Sequence, residues 1–261
     1  NKHVCLVYHA RLLSGSYASK LFRFWSKTII KHADHILCVS KAVYQDWPES
    51  SKKKIVSDAL PAEDLAQGVK KSKRNFIYLY VGNFIPGKGQ NYAIEAMAKL
   101  PPEFDDAKLI FVGGDLNKKK NIKYKNSLKS KVKRLDLDHQ IKFESFRNQI
   151  ELKQLYQKSH VVLNFSESES FSMVCLEALM YGTPVISSRC GGPEEIVEHM
   201  NNGLLVDNKD VGQMADAMTV IKSDESLRRR LTENTSNILQ KYSLRDSANK
   251  LTDIYLSCYD S

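Results

Sequence analysis

Short apolar runs and longer amphipathic stretches alternate along almost the whole chain, and this alternation limits the fold more than any other feature of the sequence. The apolar runs 4–8, 35–39, 54–57, 76–81, 109–112, 141–143, 160–165, 184–187 and 204–206 read as strands. Helical stretches fall between them. Residues 17–31 form the first, and Ser40 caps the next, through residue 47, where Pro48 stops it. Helices follow at 90–100, ended by Pro101-Pro102, and at 121–135. Asn148 caps another, with Glu151 three residues on as in a capping box. The stretch 171–181 closes at Gly182, 193–200 begins at a proline, and three helices complete the chain. Repeated βαβ units imply an α/β fold with parallel sheets and helices on both faces. Right-handed crossovers then put every strand-to-helix turn on one sheet edge, where such sheets bind ligands. The residues to read for function are therefore those in the turns.

Composition narrows the class. Hydrophobic residues make up 42% and charged residues 26%, ordinary values for a soluble globular protein. No apolar run approaches the roughly 18 residues of a membrane span, and the N-terminus has no signal-peptide pattern. The five cysteines are odd in number, widely spaced and without a CxxC pair. Neither disulfides nor a zinc site is expected, a reducing cytoplasm fits, and Cys5, Cys38 and Cys175 read as core residues. The net charge of +9 is concentrated at 52–54, 70–74 and 118–134. The simplest reading is solvated surface. The functional one is attraction to an anionic partner: nucleotide phosphate, a lipid-linked pyrophosphate acceptor, or a membrane surface bound peripherally. Nucleic acid is not expected, because few aromatics interleave the basic runs. The stretch 62–75 is polar and lysine-rich without an apolar period, and reads as a linker.

Three turns carry candidate chemistry. After strand 76–81 comes Gly82-Asn83-Phe84-Ile85-Pro86-Gly87-Lys88-Gly89, whose glycines permit close backbone approach and whose lysine sets a cation beside a phosphate. It matches neither the dinucleotide fingerprint nor the P-loop, and an ordinary turn would contain similar glycines. After strand 160–165 comes Ser166-Glu167-Ser168-Glu169-Ser170-Phe171-Ser172-Met173, followed by Glu177. Glu177 is the one charge between residues 171 and 188, and such a carboxylate is costly to bury without partners. It reads either as a partly exposed, locally satisfied side chain or as an acceptor for a ribose diol. The first-turn amides around Ser172 and Met173 make a cradle for pyrophosphate. The third turn, Gly191-Gly192-Pro193, is mostly explained as a tight turn with proline at the first helical position.

The E-x7-E spacing of Glu169 and Glu177, followed by residues 178–186 and Gly191-Gly192, resembles the retaining family 4 glycosyltransferases. The resemblance extends to residues 81–89, 111–114, 155–165 and 33–40, nearly the whole chain. It implies the GT-B fold, with a complete C-terminal Rossmann-like domain and part of an N-terminal one. The implied division is 1–62 for the acceptor-side domain, a linker at 63–75, the nucleotide-sugar domain at 76–242, and a helix at 243–261 crossing back. It also implies donor contacts at Gly82, Asn83, Lys88, Glu169, Ser170, Phe171, Ser172, Met173 and Glu177. Lys88 would hold pyrophosphate, Glu169 the sugar and Glu177 the ribose; Lys88, Glu169 and His9 would be catalytic. Asn83 stands where the family usually has arginine, and Ser170 and Ser172 flank Phe171 where it usually has glycine. The start of the N-terminal domain is missing by comparison with the family.

The expected function is transfer of a sugar from a nucleoside diphosphate sugar to a glycan or lipid-linked acceptor hydroxyl, with retention. Bacterial surface polysaccharide or glycolipid synthesis, in the cytoplasm or at the inner membrane face, would suit it. The donor is a co-substrate, and neither cofactor nor metal is expected. Two alternatives stand beside it: a nucleotide-sugar-binding fragment without activity, and a Rossmann oxidoreductase, disfavoured by the missing glycine fingerprint.

Overall fold

The computed structural model describes residues 4–17, 19–61 and 75–258, so the linker expected at 63–75 lies almost wholly outside the described residues. Described strands form two sheets, and every strand pair is parallel. The smaller holds β1 (Val7–Ala10), β2 (His35–Cys38) and β3 (Lys53–Ile55) in chain order, with α1 (Ser19–His32) and α2 (Lys41–Asp46) as crossovers. The larger is built from β4 (Phe76–Val81), α3 (Gln90–Met97), β5 (Ala107–Val112), α4 (Lys119–Arg134), β6 (Ile141–Glu144), α5 (Gln149–Lys158), β7 (Val161–Asn164), α6 (Met173–Met180), β8 (Val185–Ser188), α7 (Pro193–Ile196) and β9 (Gly203–Val206). Its order is β6-β5-β4-β7-β8-β9. Four helices follow: α8 (Val211–Ser223), α9 (Glu225–Glu233), the short α10 (Ile238–Lys241) and α11 (Leu244–Ser257).

Period-two alternation explains how both faces of the large sheet are filled. Tyr78, Tyr80, Leu109, Phe111, Leu163 and Phe165 pack on one face with residues of α3, α4 and α8. Leu79, Val112 and Val162 turn to the other face, against Leu176 and Leu179 of α6. That second cluster continues without a break into Ile36 and Cys38 of the small sheet and Val43 and Trp47 of α2 and its C-terminal end. One apolar core therefore joins the two sheets.

Several boundaries differ from the sequence reading, each for a local reason. The first strand starts at Val7, not residue 4, because the Asp34 carboxylate takes the Leu6 N–H at 2.8 Å, and Val4 and Leu6 stay exposed. Helix α3 ends at Met97 because Lys99 and Leu100 bond back three residues, tightening the last turn. The capping box at Asn148 and Glu151 and the cap at Ser40 are both present. Within the basic run 52–54, Lys53 is not solvated: it is buried and donates to the carbonyls of Tyr44 and Trp47 at 2.8 and 3.1 Å, closing the end of α2.

The cysteine reading needs correction. Cys5 is not a core residue; it is half-buried and forms a disulfide with Cys258, 253 residues away in sequence. The pair meets because α11 runs over the small sheet. Ser243 bridges Leu60, the Ser247 hydroxyl donates to the Ser57 carbonyl at 3.0 Å, and Ser257 lies 3.4 Å from the His35 ring. The inward stripe of α11 is Ser247, Leu251, Ile254 and Cys258, while Ala248 and Tyr255 are exposed. Cys38, Cys175 and Cys190 are buried free thiols.

Gly89 shows how tightly the turns after β4 and β7 are fitted. It has φ +75°, and a Cβ placed there would sit 1.9 Å from the carbonyl oxygen of Phe165. Gly89→Ala should therefore destabilise the fold by more than about 2 kcal/mol, adding backbone strain to a clash with main chain. A denaturant-midpoint shift worth under about 0.5 kcal/mol would mean that the loops can separate.

Candidate functional site

Strand order reverses between β4 and β7: β5 lies on one side of β4 and β7 on the other. Such a switch point opens a crevice at the carboxyl ends of the two strands. The turns leaving them are 82–89 and 165–172, the two stretches that sequence reading singled out. A buried hydroxyl ties them together. Tyr80 accepts the Phe165 N–H at 2.9 Å and donates to the Lys88 carbonyl, and burial pushes its pKa well above the ordinary phenol value. The Glu167 N–H adds a bond to the Gly87 carbonyl at 2.8 Å.

On this frame, Lys88 and Glu169 meet across the crevice at 2.6 Å, with 37% and 18% of their side chains exposed. The same carboxylate oxygen, Oε1, accepts from the Ser166 hydroxyl at 2.8 Å. Among the described residues, Oε2 has no hydrogen-bond partner. Glu169 is fixed through its main chain as well: its N–H bonds the Cys190 carbonyl at 2.9 Å, and its carbonyl accepts from Gly192 at 2.8 Å. Gly192 approaches so closely that a Cβ would fall 2.3 Å from Cα of Phe171. The Gly191-Gly192 turn thus has a specific task, which is to dock against the loop carrying Glu169.

Helix α6 begins in an unusual way. Ser172 is its N-cap at φ +88°, left-handed backbone that favours glycine, and its hydroxyl accepts from the Cys175 N–H. The same hydroxyl accepts from Asn164 at 3.2 Å. The helix geometry leaves the amides of Met173 and Val174 without intrahelical acceptors, at the crevice end of α6. One turn on, Glu177 accepts the Tyr156 hydroxyl at 2.8 Å. Burial pushes the Glu177 carboxyl above its usual value, and the Tyr156 bond pulls it partly back.

The remaining expected site residues have other surroundings. The Asn83 side-chain oxygen accepts the Gly114 N–H at 3.3 Å, joining the turns after β4 and β5, and Gly82 donates to the Val112 carbonyl. The Ser170 hydroxyl accepts the Leu13 N–H at 3.3 Å, linking the crevice to the small sheet. The Phe171 ring is buried edge-on against Tyr242. His9 is exposed, with its Nε2 3.0 Å from the Tyr255 hydroxyl of α11. Leu13, Ala42 and Gly191 lie against one another where the two sheets meet, and the Ala42 N–H donates to Glu195 at 2.9 Å. Hollows of about 860 Å³ near Asn75, His160 and Arg228, and about 470 Å³ along α1, lie away from this crevice. Sequence reading missed Tyr80, Tyr156 and Tyr255, since each is a tyrosine in an apolar or amphipathic run that gives no sign of where its hydroxyl points.

Two facing parallel sheets, with a cation, a carboxylate and a helix amino end gathered at a switch point, define a Rossmann-like protein of GT-B architecture. Residues 62–238 match the Glycosyl transferases group 1 family, and the chain belongs to that family. It is 34% identical to an uncharacterized glycosyltransferase of Methanocaldococcus jannaschii over 68% of this chain and 44% of that protein. It is 27% identical to a D-inositol 3-phosphate glycosyltransferase of Corynebacterium urealyticum over 90% of this chain and 59% of that one. The chain thus spans about half the length of these relatives. By fold it is similar to Anabaena HepE, solved in complex with UDP and glucose: TM-score 0.85, 22% identity, 97% of this chain and 72% of that one. Sucrose-phosphate synthase from Thermosynechococcus elongatus gives a TM-score of 0.86 at 22% identity, covering 97% and 68%.

The Glu177 surroundings predict a stability signature. Its folded-state pKa is raised, so the folded chain holds that proton more tightly than the unfolded chain. Stability from this group is present at low pH and is lost as pH rises through the raised value. The wild type should therefore gain stability relative to Glu177→Gln as pH falls from neutrality towards the ordinary carboxylate range. Parallel denaturation midpoints across that range would show that the carboxyl is not desolvated.

Proposed function

We propose that this chain is the donor-binding part of a glycosyltransferase that moves a sugar from a nucleoside diphosphate sugar to an acceptor hydroxyl with retention. The observation that carries the proposal is the Lys88–Glu169 pair at 2.6 Å across the switch point. A cation for the diphosphate and a carboxylate for sugar hydroxyls lie side by side, where the two groups of such a donor are joined. In this reading the diphosphate displaces Glu169 from Lys88 and takes the amides of Met173 and Val174 as further donors. Glu169 then turns Oε2 to the sugar, and Glu177 accepts from the ribose diol while Tyr156 holds its other side.

Transfer leaves a negative charge on the departing diphosphate. Lys88 and the α6 amides, already in place, stabilise that charge as it develops. Glu169 and Glu177 act as binders rather than as a pair flanking the bond, and a metal ion is not called on for this role. The acceptor is a glycan or lipid-linked hydroxyl compound entering from the small-sheet side, where His9 stands. Basic α4, with Lys119, Lys120 and Lys123 exposed, suits an acceptor carried on an anionic lipid surface at the cytoplasmic face. Surface polysaccharide or glycolipid synthesis is the setting that fits best.

One observation favours a second reading, donor binding without transfer. His9 is engaged with Tyr255 and not with the Lys88–Glu169 pair. Measuring nucleotide affinity separately from turnover distinguishes the two.

The tests are calorimetric. Lys88→Ala should weaken UDP binding by about 10- to 100-fold, the loss of one charge-assisted bond of about 1.5–3 kcal/mol, and leave uridine binding nearly unchanged. Equal losses for both ligands would remove Lys88 from the phosphate site. Glu177→Ala should weaken both UDP and uridine, and unchanged uridine affinity would make Glu177 a purely structural partner of Tyr156.

A further inference from the structure

Three residues far apart in sequence converge away from the donor crevice. Cys5 lies just before β1, His35 opens β2, and Cys258 ends α11. One sulfur from each cysteine and a ring nitrogen of His35 all lie within 4.8 Å of one another, and all three residues are half-buried. Their spacing matches no metal-binding motif, so the cluster exists only because α11 crosses the small sheet. The cysteines are joined in the oxidised state, with Cα atoms 5.6 Å apart.

We propose that Cys5, Cys258 and His35 form a zinc site when a thiol or phosphine reductant opens the disulfide, so that the same residues clasp α11 to β1 and β2 in both redox states. Reduction breaks the S–S bond; the reductant supplies two electrons, and two protons complete the thiols. Zinc binding then forms two Zn–S bonds and one Zn–N bond and releases the two thiol protons to solvent. Two thiolates and an imidazole are a ligand set that favours zinc over hard cations. Zn–S bonds of about 2.3 Å and a Zn–N bond of about 2.0–2.1 Å in a tetrahedron put ligand atoms about 3.5–3.8 Å apart. That fits within the present cluster once the sulfurs rotate apart, and solvent supplies the fourth ligand. The site rests on no assumption about the reaction.

The clasp has a mechanical consequence. Tyr255, which bonds His9, lies one turn before Cys258 on α11. Fixing the end of the helix fixes that hydroxyl. The three other cysteines are poor competitors for metal: they are buried, and burial pushes the thiols of Cys38 and Cys175 up to about 11 and that of Cys190 up to about 12.

Cobalt(II) titration tests the proposal. Protein reduced with a phosphine and stripped with a chelator should bind one equivalent of cobalt. Thiolate-to-cobalt charge-transfer bands in the near ultraviolet should appear, and zinc should abolish them. Cys258→Ser and His35→Ala should each lower metal affinity by more than about 100-fold, beyond the loss expected for an outer-shell partner. The unreduced protein, with its sulfurs bonded to each other, should give no bands, so the comparison stands even if a variant folds poorly. Absence of the bands in reduced protein would overturn the site. So would bands in unreduced protein, or bands and affinity unchanged by either substitution.

Discussion

The buried hydroxyl of Tyr80 joins two loops that the sequence keeps about 80 residues apart, and the site depends on that junction. It takes one hydrogen bond from the loop after β7 and gives one to the loop after β4. Both loops exist at the crevice because strand order reverses between those two strands. With the loops locked, Lys88 and Glu169 are held within reach of each other. A buried, doubly bonded hydroxyl is costly to leave unmade, so the junction is rigid as well as central.

Around it, main-chain contacts do most of the positioning. Gly89 and Gly192 bring backbone against backbone at Phe165 and Phe171, where no side chain would fit. Ser172 accepts a left-handed conformation to start α6 at the crevice. The strain there is of order 1–2 kcal/mol, and the capping bond to Cys175 and the bond from Asn164 offset it. Local strain at the amino end of a helix is tolerated where the surroundings over-determine it. The apolar core shared by the two sheets then holds the small sheet, with His9 and Leu13, against the loops of the large one.

Much of the fold was legible because βαβ alternation is a local pattern: each strand of the large sheet was readable to within two residues, and the caps at Ser40 and Asn148 announced themselves. The turns bearing Lys88, Glu169 and Glu177 were legible for the same reason, since parallel topology sends every such turn to one edge. What stayed hidden is whatever depends on long-range packing. Cys5 and Cys258 look unrelated until α11 crosses the small sheet. The isolation of Glu177 along the chain concealed Tyr156, one helix away, as its partner. Asn83, read as a donor contact, also accepts the Gly114 N–H from the turn after β5, a link its place in the chain does not show. Lys53 counted towards a surface charge run but caps a helix from inside.

The central claim is that a nucleoside diphosphate binds where the loops after β4 and β7 meet. A crystal structure with UDP tests it most directly. The account predicts the diphosphate between Lys88 Nζ and the amino end of α6, with the Lys88–Glu169 contact opened and the ribose hydroxyls on Glu177. UDP bound elsewhere, such as against Lys20, Arg23 and Lys27 of α1, with the Lys88–Glu169 contact intact, would contradict it.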